Sequence, residues 1–153
     1  MKFIYSIVLS TLFPLTACSM RDHTPPTYAP GLGEIMSLSG MRHVKLWYAG
    51  QAKNWQLAAY EIDELREGLE EASKFHPTHK SIKTPIAQLI SSTMDKPLGQ
   101  VEKAVNEKDF SAFAIGYDSL TAACNACHQM TDFAFNIVTK PEFNPFPSQQ
   151  FHP

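Results

Sequence analysis

Apolar residues recur at steps of three and four between residues 33 and 128, a spacing that places them on one face of an α-helix. The pattern predicts a first helix from about Gly33 to Gly50. Asn54 is suited to cap a second helix, because its side-chain oxygen can accept a hydrogen bond from the first turn. This second helix ends at Phe75-His76-Pro77, since proline cannot continue it.

Two further helices follow along the chain. The third is predicted to begin at Thr84 with Pro85 in its first position, and we expect Pro97 to kink or break it. Asp109 is suited to cap the fourth, which reaches Cys124 and beyond. No stretch alternates convincingly with a period of two, so no sheet is predicted. Four amphipathic helices with short loops predict an all-α fold, an antiparallel four-helix bundle.

The segments outside the helical region have different patterns. Residues 1–17 resemble a signal peptide, with Lys2 followed by an apolar stretch too short for a comfortable membrane span. Residues 18–32 are rich in proline and predict a semi-extended tether. Residues 139–153, rich in proline and phenylalanine, predict an extended C-terminal tail. The folded domain is therefore expected over residues 33–138.

The end of the leader, Leu15-Thr16-Ala17-Cys18, resembles the lipobox of bacterial lipoproteins. The resemblance implies that diacylglycerol is attached to the thiol of Cys18, which becomes the new N-terminus and anchors the protein to a membrane. Ser19 follows, and not an aspartate, which resembles sorting to the outer membrane of a Gram-negative bacterium, facing the periplasm. The alternative is an ordinary signal peptide in which Cys18 is incidental.

Composition and charge narrow the classes of partner. The chain is 44% hydrophobic and 18% charged, which fits a soluble domain with a packed core. Its formal net charge of −2 and its lack of a basic patch indicate that nucleic acid is not a partner. A mildly acidic protein is instead expected to meet a partner protein through a basic surface of that partner.

The fourth predicted helix carries Cys124-Asn125-Ala126-Cys127-His128, the Cys-x-x-Cys-His pattern of c-type haem attachment. Cysteines three apart on a helix lie on one side, about one turn apart, so both thiols can reach the two vinyl groups of one porphyrin. His128 shares that face and is placed to bind the iron. The pattern predicts one covalent haem c, and with Cys18 lipidated no cysteine is left for a disulfide.

Three other uses of the cysteine pair are weaker. A redox dithiol places its reactive cysteine at a helix N-terminus, where the thiol pKa is lowered. Cys124 instead lies about four turns into the fourth predicted helix. A zinc site lacks a second cysteine pair, and a disulfide between cysteines three apart in a helix is strained.

A four-helix bundle with this motif near the end of its last helix resembles the class II cytochromes c, which include the high-spin cytochromes c prime and their low-spin relatives. The resemblance covers about residues 33–135. It implies that Cys124 and Cys127 hold the haem and that His128 is the proximal ligand. Asp132 departs from the pattern, because the family often has a basic residue there. The stretch from residue 46 to residue 55 is also unlike ordinary cytochromes c prime and suggests a separate subgroup.

The opposite side of the iron decides the function. A methionine of the first helix binds there in low-spin class II members, whereas in cytochromes c prime the position is open. Here Met36 and His43 are seven residues apart and share a face, and Met41 is turned away from both. His43 is the candidate second axial ligand and Met36 the alternative. Each also has a purely structural interpretation, as a packed histidine and as an apolar filler.

These features predict a membrane-tethered monohaem cytochrome that transfers electrons through a six-coordinate haem and is not an enzyme. The alternative is a five-coordinate binder or sensor of NO or CO. Peroxidase activity is a third option, for which no distal acid–base pair is recognisable. The expected partners are a redox protein and, through Cys18, a membrane; a homodimer and a monomer are both compatible with the pattern.

Overall fold

Four α-helices account for most of the chain in a computed structural model, which describes residues 28–80 and 82–153. They are α1 (Leu32–Gln51), α2 (Trp55–Phe75), α3 (Ile86–Glu107) and α4 (Phe110–Met130). Each helix packs along the next, and the described residues contain no β-strand. The predicted all-α four-helix bundle is confirmed. The leader, Cys18 and the tether up to residue 27 lie outside the described residues.

The helices begin where the capping residues predict. The side chain of Asn54 accepts from the Leu57 N–H at 3.2 Å, and that of Asp109 accepts from the Ala112 N–H at 3.1 Å. Both caps follow very short connections, so α1 and α2 form one hairpin and α3 and α4 a second. None of the helices in the described part of the chain is long and apolar enough to cross a membrane.

The expected break at Pro97 is wrong, because α3 runs without interruption from Ile86 to Glu107. It begins directly after Pro85, slightly later than the sequence indicates. A proline inside a helix costs about 3 kcal/mol through its missing hydrogen bond and its steric clash. Here Pro97 is buried between Met94 and Val101, and the burial of this apolar face offsets that cost.

The two ends of the bundle differ in how α1 and α4 meet. At the end where α1 finishes and α4 begins, Trp47 of α1 packs against Phe113 and Tyr117 of α4, with ring centroids 6.1 and 5.0 Å apart. A Cβ atom on Gly50 would collide with the Phe113 ring, so the glycine permits this close approach. Over the rest of their length α1 and α4 have few contacts, fewer than any other neighbouring pair of helices.

The chain after α4, which we call the C-terminal strap (residues 131–153), returns along the seam between α1 and α4. Lys140 forms an ion pair with Asp118 of α4 at 2.6 Å and lies over the Trp47 ring of α1, 4.5 Å from its centroid. Further on, Phe151 is buried, with 6% of its surface exposed, beside the Tyr48 ring of α1. The strap therefore closes the side of the bundle on which the helices pack least.

Candidate functional site

A cavity of about 590 Å³ opens at the end of the bundle where α1 begins and α4 ends. This volume falls within the range of about 300–1,000 Å³ that is usual for cofactor and ligand pockets. All four helices line it, and most of the lining is apolar. The apolar side chains from α2 and α3 are Leu65, Leu69, Ile86, Leu89, Ile90 and Met94.

The motif residues Cys124, Cys127 and His128 all line this cavity. The two thiols are partly buried and are not joined in a disulfide. Burial, with a smaller effect from the neighbouring Cys127, raises the pKa of Cys124 to about 11, and burial also raises the pKa of Cys127. Both thiols are therefore protonated at neutral pH, the opposite of the lowered thiol pKa on which a redox dithiol depends.

His128 is held by the strap. Its Nδ1 lies 2.6 Å from the carbonyl oxygen of Asn136. A carbonyl oxygen only accepts, so Nδ1 carries the hydrogen, and Nε2 is the nitrogen with a free lone pair when the ring is neutral. Metal-binding histidines are commonly oriented by such a bond from their second ring nitrogen.

His43 lies in the wall that α1 contributes, with 2% of its surface exposed. Its ring stacks on Tyr117 of α4 at 4.5 Å between centroids. Nδ1 lies 3.0 Å from the Tyr117 hydroxyl oxygen, and Nε2 lies 2.8 Å from Thr121 Oγ1. Burial lowers the pKa of His43 to about 4, so the imidazole is neutral at pH 7. Both ring nitrogens are thus occupied by side chains of α4.

Met36 lines the cavity on the same face of α1 as His43, whereas Met41 does not line it. Beside Met36 and His43 the helix wall is recessed by glycines. A Cβ atom added to Gly33 or Gly40 would have no neighbour within 4 Å. The wall that α1 contributes therefore combines a thioether, an imidazole and two glycines without a side chain.

The α2–α3 loop places a positive charge at the edge of the cavity. His79 and Lys80 both line it, and Lys80 is exposed. Among the described residues that line the cavity, no side chain is acidic. Asp132, the residue that departs from the class II pattern, is not part of the lining. An anionic group at this edge would therefore meet the Lys80 ammonium without a competing carboxylate.

Several residues have roles that sequence patterns did not indicate. Tyr117 and Thr121 of α4 hold the His43 ring of α1, a contact between distant residues that no local pattern reports. Asn136 lies in a segment with no period and still bonds His128. The one available signal was that Tyr117 and Thr121 precede Cys124 by seven and three residues, which places all three on one face of α4.

Large aromatic side chains of α1, α2 and α4 belong to the core. Trp47, Trp55 and Phe113 pack together towards the other end of the bundle, and none of them lines the cavity. In the part of the chain that the structure describes, no three His, Cys, Asp or Glu side chains are grouped as ligands for a metal ion.

Comparison of the chain with protein-family models, with curated proteins and with solved structures found no match. The resemblance to the class II cytochromes c therefore rests on the attachment motif and on the four-helix fold.

Proposed function

We propose that this protein is a monohaem c-type cytochrome that transfers electrons, with haem c joined to Cys124 and Cys127 and with His128 as an axial ligand. The observation that carries the proposal is the position of the motif: its two cysteines and its histidine all line an apolar cavity of cofactor size. Bound haem supplies the one-electron chemistry of its iron, and the chain supplies ligation, orientation and the exclusion of water.

The state of the two thiols suits covalent attachment. Each thiol adds across one vinyl C=C bond, with sulfur bonding to one carbon and hydrogen to the other, so no group leaves and no oxidant is consumed. Cys124 and Cys127 are one turn apart on α4 and are not joined to each other, so both thiols are available for this addition.

For the second axial position we propose His43, with Met36 as the alternative. The Tyr117 hydroxyl lies 3.0 Å from both Nδ1 and the carbonyl oxygen of His43, so it can accept from Nδ1–H and donate to the carbonyl. In that tautomer Nε2 carries the free lone pair, and the Thr121 hydroxyl, which also lies 2.9 Å from the Tyr117 carbonyl oxygen, would donate to Nε2 when no iron is bound. With iron bound, Nε2 would be the ligand atom, and the Thr121 hydroxyl would donate to the Tyr117 carbonyl alone. His43 and His128 would then hold the iron through two nitrogen atoms in both oxidation states, and an unchanged ligand set favours rapid electron transfer.

The edge of the cavity matches the anionic groups of a haem. Lys80 and His79, which line this edge, would bind the propionate carboxylates. Lys80 would thus supply a positive charge in a chain that has the acidic Asp132 where the class II family often has a basic residue.

The proposal is tested by the mass and the optical spectrum of protein produced in a host that attaches haem c. We expect a mass increment of one haem that is lost when Cys124 and Cys127 are both replaced by alanine. Cys18→Ala is the matched control, since it removes a cysteine that the proposal assigns to lipid and leaves the haem in place. Wild-type protein without the haem increment would contradict the proposal.

A second candidate function is the binding of NO or CO at an open iron position. One observation favours it: both nitrogens of His43 are already hydrogen-bonded within the protein. A spectrum of the ferrous protein separates the two functions. Low-spin bands that resist CO support electron transfer through a six-coordinate haem, whereas immediate uptake of CO supports the open site.

We further propose that the protein is anchored through lipid on Cys18 to the periplasmic face of a Gram-negative outer membrane, where it exchanges electrons with a redox partner protein. The lipobox resemblance supports this location. The mass of membrane-extracted protein tests it, because a diacylglycerol increment is expected on the peptide that begins with Cys18. A peptide without lipid would contradict the anchor and leave the haem assignment standing.

A further inference from the structure

We infer that the C-terminal strap sets the donor strength and orientation of His128, and that Asn125 is the positioning residue that holds the strap against the motif. The inference rests on the proposed haem function and adds a role for two residues that the attachment pattern leaves undefined. It begins from the short bond between His128 Nδ1 and the Asn136 carbonyl oxygen.

The strap leaves α4 in a turn that is bonded to the motif itself. The Phe133 N–H donates to the carbonyl oxygen of His128 at 2.8 Å, and the Thr131 hydroxyl donates to that of Cys127 at 2.9 Å. Thr131 is buried. These bonds reverse the chain directly beside the motif and bring Asn136 to the His128 ring.

Asn125, the first of the two variable residues between the cysteines, then fixes the strap. Its side-chain N–H donates to the Val138 carbonyl oxygen at 2.8 Å, and its side-chain oxygen accepts from the Val138 N–H at 2.8 Å. One amide side chain thus completes both backbone groups of a single strap residue. Val138 is two residues from Asn136. The two hydrogen bonds to Val138 therefore also hold the Asn136 carbonyl, which accepts from His128 Nδ1–H.

A hydrogen bond from Nδ1–H to a carbonyl gives an imidazole partial anionic character and strengthens Nε2 as a donor. A stronger donor stabilises ferric iron more than ferrous iron, which lowers the reduction potential. Release of the strap is therefore expected to raise the potential. A strap that only packed against the bundle would contribute to stability and would leave the potential unchanged when it was released. The reduction potential therefore distinguishes the two roles of the strap.

The test compares Asn125→Ala with Asn144→Ala. Asn144 also lies in the strap, but its side chain accepts only from the nearby Phe146 N–H, so its removal leaves the motif contacts in place. In haem-loaded Asn125→Ala we expect the affinity of His128 for ferric over ferrous iron to fall about tenfold. For a one-electron couple this raises the potential by about 59 mV. Asn144→Ala should match the wild type.

Asn125→Asp provides a graded second variant. The carboxylate keeps the acceptor for the Val138 N–H but loses the donor to the Val138 carbonyl, so the exchange rate of the Val138 N–H should fall between those of the wild type and Asn125→Ala. NMR adds a measurement that needs no variant: in the wild type, the His128 Nδ1–H and the Val138 N–H should both exchange slowly with solvent.

Each outcome bears on one claim. A potential equal to that of the wild type in Asn125→Ala, although exchange at Val138 has become faster, would overturn the inference. Rapid exchange of His128 Nδ1–H in the wild type would also overturn it, even if the variants failed to fold. A chain that carries no haem defeats the proposed function instead, while slow exchange at both positions would still support the hold of the strap on the motif.

Discussion

At the scale of single residues, the environment of His43 determines which chemistry the cavity supports. The ring is buried, neutral, stacked on Tyr117 and bonded through both nitrogens to α4. The contacts of this buried imidazole with Tyr117 stabilise the packing of α1 against α4 whether or not Nε2 binds iron. Whether His43 is an iron ligand or only a packed side chain is therefore decided by measurements that report on the iron or on the protonation of His43.

Replacement of His43 by alanine should convert the proposed haem from low spin to high spin, because it would remove the proposed second axial ligand. The optical spectrum of the ferric protein measures this change. Met41→Ala is the matched control, since Met41 lies on α1 outside the cavity lining and should leave the spectrum unchanged. If Met36→Ala alone produces the high-spin form, the ligand is Met36. If neither variant changes the spectrum, both residues only pack.

The protonation of His43 predicts how the stability of the haem-free protein depends on pH. Burial lowers the folded pKa to about 4 from the ordinary value of 6.5, so the folded state binds this proton less readily than the unfolded chain. The stability from this group is complete above about pH 6.5 and is lost as the pH falls towards 4. At 1.36 kcal/mol per pKa unit, the loss is about 3 kcal/mol.

Urea unfolding at pH 7 and at pH 4 measures this loss, with His43→Gln as the control. The variant lacks the titrating group and should show a drop in unfolding free energy that is smaller by about 3 kcal/mol. Equal drops in the two proteins would mean that His43 can be protonated without loss of the fold.

At the scale of the helices, glycines decide where α1 approaches α4 and where it stays apart. Gly50 permits contact with the Phe113 ring at the closed end, whereas Gly40 faces open space in the cavity wall. The same residue type therefore has opposite effects at the two ends. Gly99 lies on the exposed face of α3, and a Cβ atom added there would have no neighbour within 4 Å. It therefore serves as a reference position for glycine substitutions in a helix.

Gly40→Leu is expected to reduce haem attachment without unfolding the protein. A side chain here gains up to about 1 kcal/mol of helix propensity over glycine but extends into the space proposed for the porphyrin. The ratio of haem absorbance to protein, together with thermal unfolding of the haem-free form, measures both effects. Gly99→Leu should keep full haem content, and full content in Gly40→Leu would place the haem away from the α1 wall.

Gly50→Ala should destabilise the bundle although alanine is the better helix former. The added methyl group collides with the Phe113 ring, and overpacking of this kind costs about 1–3 kcal/mol. Gly99→Ala should instead raise the unfolding free energy by up to about 1 kcal/mol. Chemical denaturation measures both changes, and a stable Gly50→Ala would show that the aromatic contact can shift at little cost.

At the scale of the whole molecule, the C-terminal strap links the site to the rest of the bundle. It contacts the motif through Asn125 and His128, the middle of the seam through Lys140, and the closed end through Phe151. Along this seam the contacts between distant parts of the chain are therefore made largely by the strap and less by direct packing of α1 against α4. Loss of its far end is expected to weaken the bundle before it affects the motif.

Phe151→Ala tests this coupling, with Phe143→Ala as its control. Phe151 is buried and Phe143 is 76% exposed, so only the first substitution should lower the unfolding free energy, by about 1.5–3 kcal/mol. The potential should stay close to that of the wild type in both variants, because Asn125 still holds the strap near His128. Equal stability of the two variants would mean that the far end of the strap does not contribute to folding.

The features that local sequence determines were predicted well. Helix boundaries follow from apolar periodicity and from the Asn54 and Asp109 caps, which involve residues three or four positions apart. The position of the cysteines and His128 on one helix face follows from the same period. Pro97 was the local exception: its buried contacts outweigh the tendency of proline to interrupt a helix, and no local pattern reports those contacts.

Only the tertiary structure decided which distant residues meet at the site. His43 and Tyr117 are 74 positions apart, and Asn125 and Val138 are 13 apart in a segment without a helical period. Contacts of this kind depend on how whole helices pack and on where an extended chain can satisfy its backbone hydrogen bonds. The sequence by itself therefore determined the helices and the motif, whereas packing determined the cavity, the neutral His43 and the strap that holds His128.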